Sequence, residues 1–150
     1  MKVLMDTSTL IAAMLPDQVH HAGSQVWLSK AKARVFDFFV SGHSLAEIYA
    51  VLTRLPRLPR FSPNEALQLV QDNVSSVATV VTLAGNDYIS LIERLVPLKI
   101  SGGAVYDGVI AKAAELAKVD YLLTLNVAHF HQVWPSGSNR LASPQSFSPP

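Results

Sequence analysis

The segment VYDGVIAKAAELAKVDYLLTLNVAHF, residues 105–130, decides the fold. Its first half sets alanines together with Val109, Ile110 and Leu116 along one side of a helix from Val105 to Val119. Its second half changes period. Tyr121 to Leu125 is a short apolar run that stops at Asn126, and reads as a strand. A helix running directly into such a strand is one unit of an alternating α/β chain. The flanking sequence repeats the unit. Lys2 to Met5 is an apolar strand stopped by Asp6, and the helix Thr7 to Leu15 follows it, ended by Pro16. A second helix spans His20 to Ala33. The β-branched and aromatic run VFDFFV, 35–40, is a strand, and Ser41-Gly42 turns it into a helix from Ser44 to Leu55. Ser62-Pro63-Asn64-Glu65 opens another helix with serine as cap, proline in the first position and glutamate three residues on. That helix runs to about Val74. VATVVTL, 77–83, is a strand, and a helix opened by Asn86 or Asp87 carries Ile89, Ile92 and Val96 towards Pro97. Arg140-Leu141-Ala142 adds a short last strand. The alternation predicts an α/β domain: a central, mainly parallel sheet with helices on both faces. One domain is expected over residues 1–143, with a flexible Ser/Pro-rich tail at 144–150.

Composition narrows the classes. The chain has 150 residues, 49% hydrophobic and 15% charged, against roughly 25% charged in an ordinary domain. Apolar material is ample for a core of its own. Cysteine is absent, which excludes a disulfide framework, a thiolate metal site and a cysteine nucleophile. A net charge of +1 excludes a polycationic coat but leaves room for a local basic groove. Asp6 interrupts the first apolar run where a signal peptide would continue, and no run is long enough to span a membrane. A cytoplasmic protein without membrane association is expected.

Ligand sites of parallel α/β sheets lie beyond the carboxyl ends of the strands. Asp6 follows the first strand, and Asn126 follows the strand Tyr121–Leu125, with Thr124 two residues before it. Glu47 lies in the helix after the strand 35–40, and Asp107 begins a helix after the Ser101-Gly102-Gly103 loop. Four oxygen-bearing side chains on one rim suit a hard cation such as Mg²⁺, and such a cluster suits phosphodiester hydrolysis. Each residue also has a plainer reading. Asp6 is placed to cap the helix after it, and Asp107 complements a helix start. Glu47 is equally a half-buried surface residue, and Asn126 an ordinary loop residue.

Taken in order, VLMDTSTLIAAM (3–14), SLAEIYAVLTRLP (44–56), residues 105–130 and RLASPQSF (140–147) resemble the PIN-domain family. The resemblance is to the VapC-type toxin ribonucleases of bacterial and archaeal toxin–antitoxin pairs in particular. It spans almost the whole chain. It implies a PIN-like three-layer α/β/α domain in which Asp6, Glu47 and Asp107 bind Mg²⁺ or Mn²⁺. Asn126 falls where many members carry a fourth acid, and Ser8 and Thr124 match polar positions that support the acids. The implied reaction is endonucleolytic hydrolysis of RNA by a metal-activated water. The implied partners are a cognate VapB-like antitoxin and a second copy of the chain. Asn126 departs from the acidic pattern: an amide oxygen attracts a cation less than a carboxylate, so weaker occupancy of a second metal position is expected, with one or two metals left open.

RLPRLPR, 54–60, sets Arg54, Arg57 and Arg60 three apart, as contacts to RNA or antitoxin or as a solvated loop. His20 and His21 diverge by about 100° on a helix and do not share a metal. His129 and His131 are read as structural or surface residues. GxSxG, GxxxxGK[ST] and HExxH are all absent, against serine hydrolase, P-loop and zinc-protease readings. Two alternatives to a nuclease stand. One is a non-catalytic PIN-like module acting through its antitoxin complex, suggested by Asn126. The other is a receiver-type domain, which the missing acidic pair and missing late lysine oppose.

Overall fold

The computed structural model describes residues 1–150. Five strands form one sheet in the order β3-β2-β1-β4-β5, and every neighbouring pair is parallel. They are β1 (Lys2–Met5), β2 (Asp37–Ser41), β3 (Thr79–Val81), β4 (Tyr121–Leu123) and β5 (Leu141–Ala142). Around them run α1 (Thr7–Met14), α2 (His21–Lys32), α3 (Gly42–Arg54), α4 (Pro63–Val70), α5 (Gly85–Leu95), α6 (Ala104–Ala117) and α7 (Val127–Val133). The chain builds outward from β1 through β2 to β3, then crosses to the other side for β4 and β5. The order therefore reverses between β1 and β4, where an open α/β sheet leaves a crevice.

Side-chain alternation along the strands divides the core in two. Val3 and Met5 of β1, Phe38 and Val40 of β2 and Leu123 of β4 face one layer, where Trp27, Ile48, Leu52 and Val70 pack. Leu4 and Leu122 face the other, with Leu91, Ile110, Phe130 and Trp134. Both faces are covered, as the apolar strands require.

The differences from the expected elements are local. Ser41-Gly42 is not a free turn: Ser41 ends β2 and its hydroxyl accepts the His43 N–H, so Gly42 is already the first residue of α3. The capping box of Ser62 and Glu65 opens α4 as expected, and a π-helical turn, Gln71–Ser75, carries the helix on past Val70. Only Thr79–Val81 of the run 77–83 pairs with β2. Helix α7 and the 3₁₀ turn Pro135–Arg140 had no sequence signal. The tail expected to be flexible has an anchor. The Trp27 indole N–H donates to the Phe147 carbonyl at 3.1 Å, and the two rings stack at 5.4 Å.

Candidate active site

Asp6 leaves the end of β1 and is both helix cap and cleft residue. Its Oδ1 accepts the Thr9 N–H at 3.0 Å, which starts α1. The Ser8 hydroxyl lies 2.8 and 2.9 Å from its two oxygens, and the Thr124 hydroxyl donates to Oδ2 at 2.9 Å. The side chains that hold it come from α1 and from the end of β4, so the switch point of the sheet closes around this carboxylate. Thr124 in turn accepts the Asn126 N–H at 2.9 Å, and Ser8 accepts the Leu125 N–H at 3.1 Å. Ser8 and Thr124 thus hold Asp6 and shape the loop that carries Asn126.

Asp6 is 3% exposed, and no cation pairs with it. Burial pushes its carboxyl up to about 6, against the opposing pull of hydrogen bonds from Thr9, Ser8 and Thr124. Asp107, in the first turn of α6, is half-buried. Burial raises its pKa too; His129 and His43 act against the rise, and the charge of Glu47 adds to it. Glu47 lies in the middle of α3, where its Oε2 is 3.3 Å from Nε2 of His43 one turn earlier. The His43 ring lies parallel to Tyr106 at 5.0 Å.

Asp6, Glu47, Asp107 and Asn126 line one open cleft of about 790 Å³. Thr7, Ser8, Ile11 and Ala12 of α1, Gln18, Val19 and His20 of the following loop, Val51, Leu125 and His129 complete its wall. The four residues expected to share a rim therefore do so. The arginines do not join them: Arg54, Arg57 and Arg60 are exposed, none lines the cleft, and the Arg57 guanidinium lies 4.0 Å from the Phe61 ring centre. Asp120 lies at the other end of the sheet, where it accepts the Lys2 N–H.

Three residues enter that sequence reasoning had placed elsewhere or passed over. His129, read as structural or surface, lines the cleft with Nδ1 4.0 Å from Asp107 Oδ2. It is three residues past the α7 cap Asn126, one helical turn on. His43 is four residues before Glu47 on a helix, a spacing that signals contact. His20 reaches the cleft from the loop after α1, which no periodicity marks. His131 instead pairs with Ser138, away from the cleft.

The donor set is three carboxylates and an amide, all oxygen, which is the chemistry of Mg²⁺ or Mn²⁺ rather than zinc or copper. A buried carboxylate without a cationic partner fits the same ion. As the side chains stand, no three acids or histidines are drawn close enough to hold it.

Comparison with known proteins agrees with the fold. A family model described as PIN domain matches residues 2–128. Ribonuclease VapC27 of Mycobacterium tuberculosis is 36% identical over 110 residues, 73% of this chain and 74% of that protein. Ribonuclease VapC40 of the same species is 29% identical over 112 residues, 75% of this chain and 78% of that protein. Among solved structures, VapBC2 from Rickettsia felis, bound to a promoter DNA fragment, superposes with a TM-score of 0.66 at 16% identity, covering 95% of this chain and 98% of that one. FitAcB from Neisseria gonorrhoeae gives 0.64 at 14%, covering 97% and 99%. No helix of the chain is long and apolar enough to cross a membrane. With its parallel sheet, its acidic cleft at the β1–β4 switch point and these matches, the chain belongs to the PIN-domain family and is related to the VapC toxin ribonucleases.

Proposed function

We propose that the protein is a divalent-metal-dependent endoribonuclease, the toxin of a VapBC-type pair. The observation that carries this reading is the gathering of Asp6, Glu47, Asp107 and Asn126 on one cleft at the switch point of the sheet. Asp6, Asp107 and Glu47 would hold Mg²⁺ or Mn²⁺, and Asn126 would assist through its amide oxygen. When bound, the ion supplies an activated water and offsets charge building on the phosphate. The chain's own part is orientation. Ser8, Thr9 and Thr124 fix the Asp6 carboxylate in one position, so little reorganisation remains when a cation arrives. His43, stacked on Tyr106, steers Glu47. Asp107 and Glu47, each raising the energy of the other's charge, favour a shared cation.

Kinship with VapC ribonucleases supports a VapB-like antitoxin as partner, and the arginines 54, 57 and 60 are assigned to phosphates flanking the cleft. They leave α3 just beyond Val51, itself a cleft residue. The exposed apolar row of Tyr88 and Ile92 on α5 and Val96 just after it supports a homodimer. Purified, antitoxin-free protein incubated with mixed structured RNAs tests the nuclease reading. Discrete products with Mg²⁺ or Mn²⁺, lost with EDTA and in Asp107→Ala, are expected.

The non-catalytic reading keeps one observation in its favour: the cleft carries a neutral amide at Asn126, which attracts a cation less than a carboxylate. Calorimetry without metal binding, combined with intact antitoxin binding, would favour it.

A further inference from the structure

Asp107 and His129 stand between two depressions. One is the carboxylate cleft. The other is a hollow of about 320 Å³ lined by Gly103, Ala104, Asp107, His129 and Gln132. These two residues line both depressions, so a chain passing over them spans the two in succession. That volume sits at the lower end of the roughly 300–1,000 Å³ of small-ligand sites. Gly103, just before α6, opens on free space, where a Cβ would meet nothing within 4 Å.

The charge pattern of the linings is specific. Neither contains lysine or arginine, and the cleft holds three carboxylates. A phosphate chain entering it finds protein donors only in a few imidazoles, amides, hydroxyls and backbone N–H groups. His129 is the one such side chain common to both linings. Its side chain is 67% exposed, and at 4.0 Å its Nδ1 is beyond hydrogen-bond reach of Asp107. The ring thus has donor capacity that nothing in the chain uses. Gln132, exposed one helical turn further along α7, also lacks a partner and offers both donors and an acceptor. Such an amide matches the edges of an unpaired base, which a duplex does not present.

Resting on the ribonuclease reading, we propose that the hollow is a nucleotide subsite for single-stranded RNA. It takes the base and ribose next to the phosphate seated over the carboxylates. His129 donates to the phosphate that joins the two nucleotides, and Gln132 contacts the base edge.

The test is binding of fluorescein-labelled single-stranded homopolymer RNAs by the full chain at low salt, followed by anisotropy with Ca²⁺ in place of Mg²⁺ or Mn²⁺, so that the carboxylate charge is offset while cleavage is suppressed. His129→Ala is expected to weaken all four RNAs by roughly tenfold, the scale of one hydrogen bond to a charged group. Gln132→Ala is expected to weaken the preferred homopolymer most and so flatten the differences among the four. Both residues are exposed, and unchanged melting temperatures certify the folds. Wild-type affinity in both variants overturns the subsite, as does failure of the wild type to bind any single strand. Cleavage by the wild type with Mn²⁺, measured in parallel, reports separately on the nuclease reading.

Discussion

The Thr124 hydroxyl donates to Oδ2 of Asp6 at 2.9 Å, tying the ends of β4 and β1 together across 118 positions of sequence. The Thr124 hydroxyl oxygen also accepts the Asn126 N–H, so one side chain sets both the acid and the amide of the cleft. Thr124→Val keeps the shape and removes both bonds. A lost hydrogen bond to a charged group costs about 1.5–3 kcal/mol, so urea unfolding at neutral pH should show a loss on that scale. Thr124→Ser should recover most of it. Nuclease activity should follow the same order, because Asp6 loses the donor that favours its ionised form.

Asp6 makes the metal-free protein sensitive to pH in an unusual direction. Its carboxyl titrates near 3.8 in the unfolded chain and at about 6 when folded. Between about pH 4 and 6 the folded chain holds a proton that the unfolded chain has released, so the stability from this group is complete below pH 4 and lost as pH rises through 6. The difference corresponds to about 3 kcal/mol. Asp107, also raised, acts in the same sense. Urea titrations in EDTA should therefore give Asp6→Asn a shallower decline over this window than the wild type. At pH 7 added Mg²⁺ or Mn²⁺ should raise the wild-type melting temperature, since a ligand that binds only the folded state stabilises it. Asp6→Asn should lose most of that gain.

Much of this site is legible in the sequence because strand ends are legible. Met5-Asp6 and Leu125-Asn126 each mark the stop of an apolar run, and a parallel sheet brings such stops to one rim. Glu47 and Asp107 are legible through their helices. Strand order is not, because the crossing from β3 to β4 leaves no local mark, and that crossing is what seats Thr124 beside Asp6. His129 is missed for a related reason. Helix α7 is seven residues long with no side-chain cap, so nothing in residues 127–133 announces which side of it meets the cleft. Phe147 lies among serines and prolines, a composition that signals a loose tail, yet tertiary contact overrides it.

Gly137 is fixed by packing rather than by backbone conformation. It is buried in the 3₁₀ turn after α7, and a Cβ there would run into the indole of Trp134, itself 2% exposed. Gly137→Ala must push the indole or the turn aside. Overpacking of this kind costs about 1–3 kcal/mol, and each kcal/mol lowers the melting temperature of a chain this size by about 2–4 °C. A thermal melt of the variant checks the loss, and tryptophan emission reports the displaced ring.

The C-terminal tail should contribute to stability despite its composition. Phe147 stacks on Trp27, lies 4.5 Å from the Tyr121 ring centre, and presents its carbonyl to the Trp27 indole N–H. Pro144 beside it is buried, and the Gln145 amide donates to the His20 carbonyl at the start of α2. These contacts cover Trp27 and hold the end of the loop that brings His20 into the cleft. Phe147→Ala leaves the backbone acceptor in place but strips the apolar cover, for a loss of about 2–3 kcal/mol, below the range of a fully buried phenylalanine because Phe147 is only partly buried. Deleting residues 144–150 removes the acceptor as well and should cost more. Denaturant unfolding ranks the three proteins, and a red shift of Trp27 emission in the native truncated chain shows that the indole has met water.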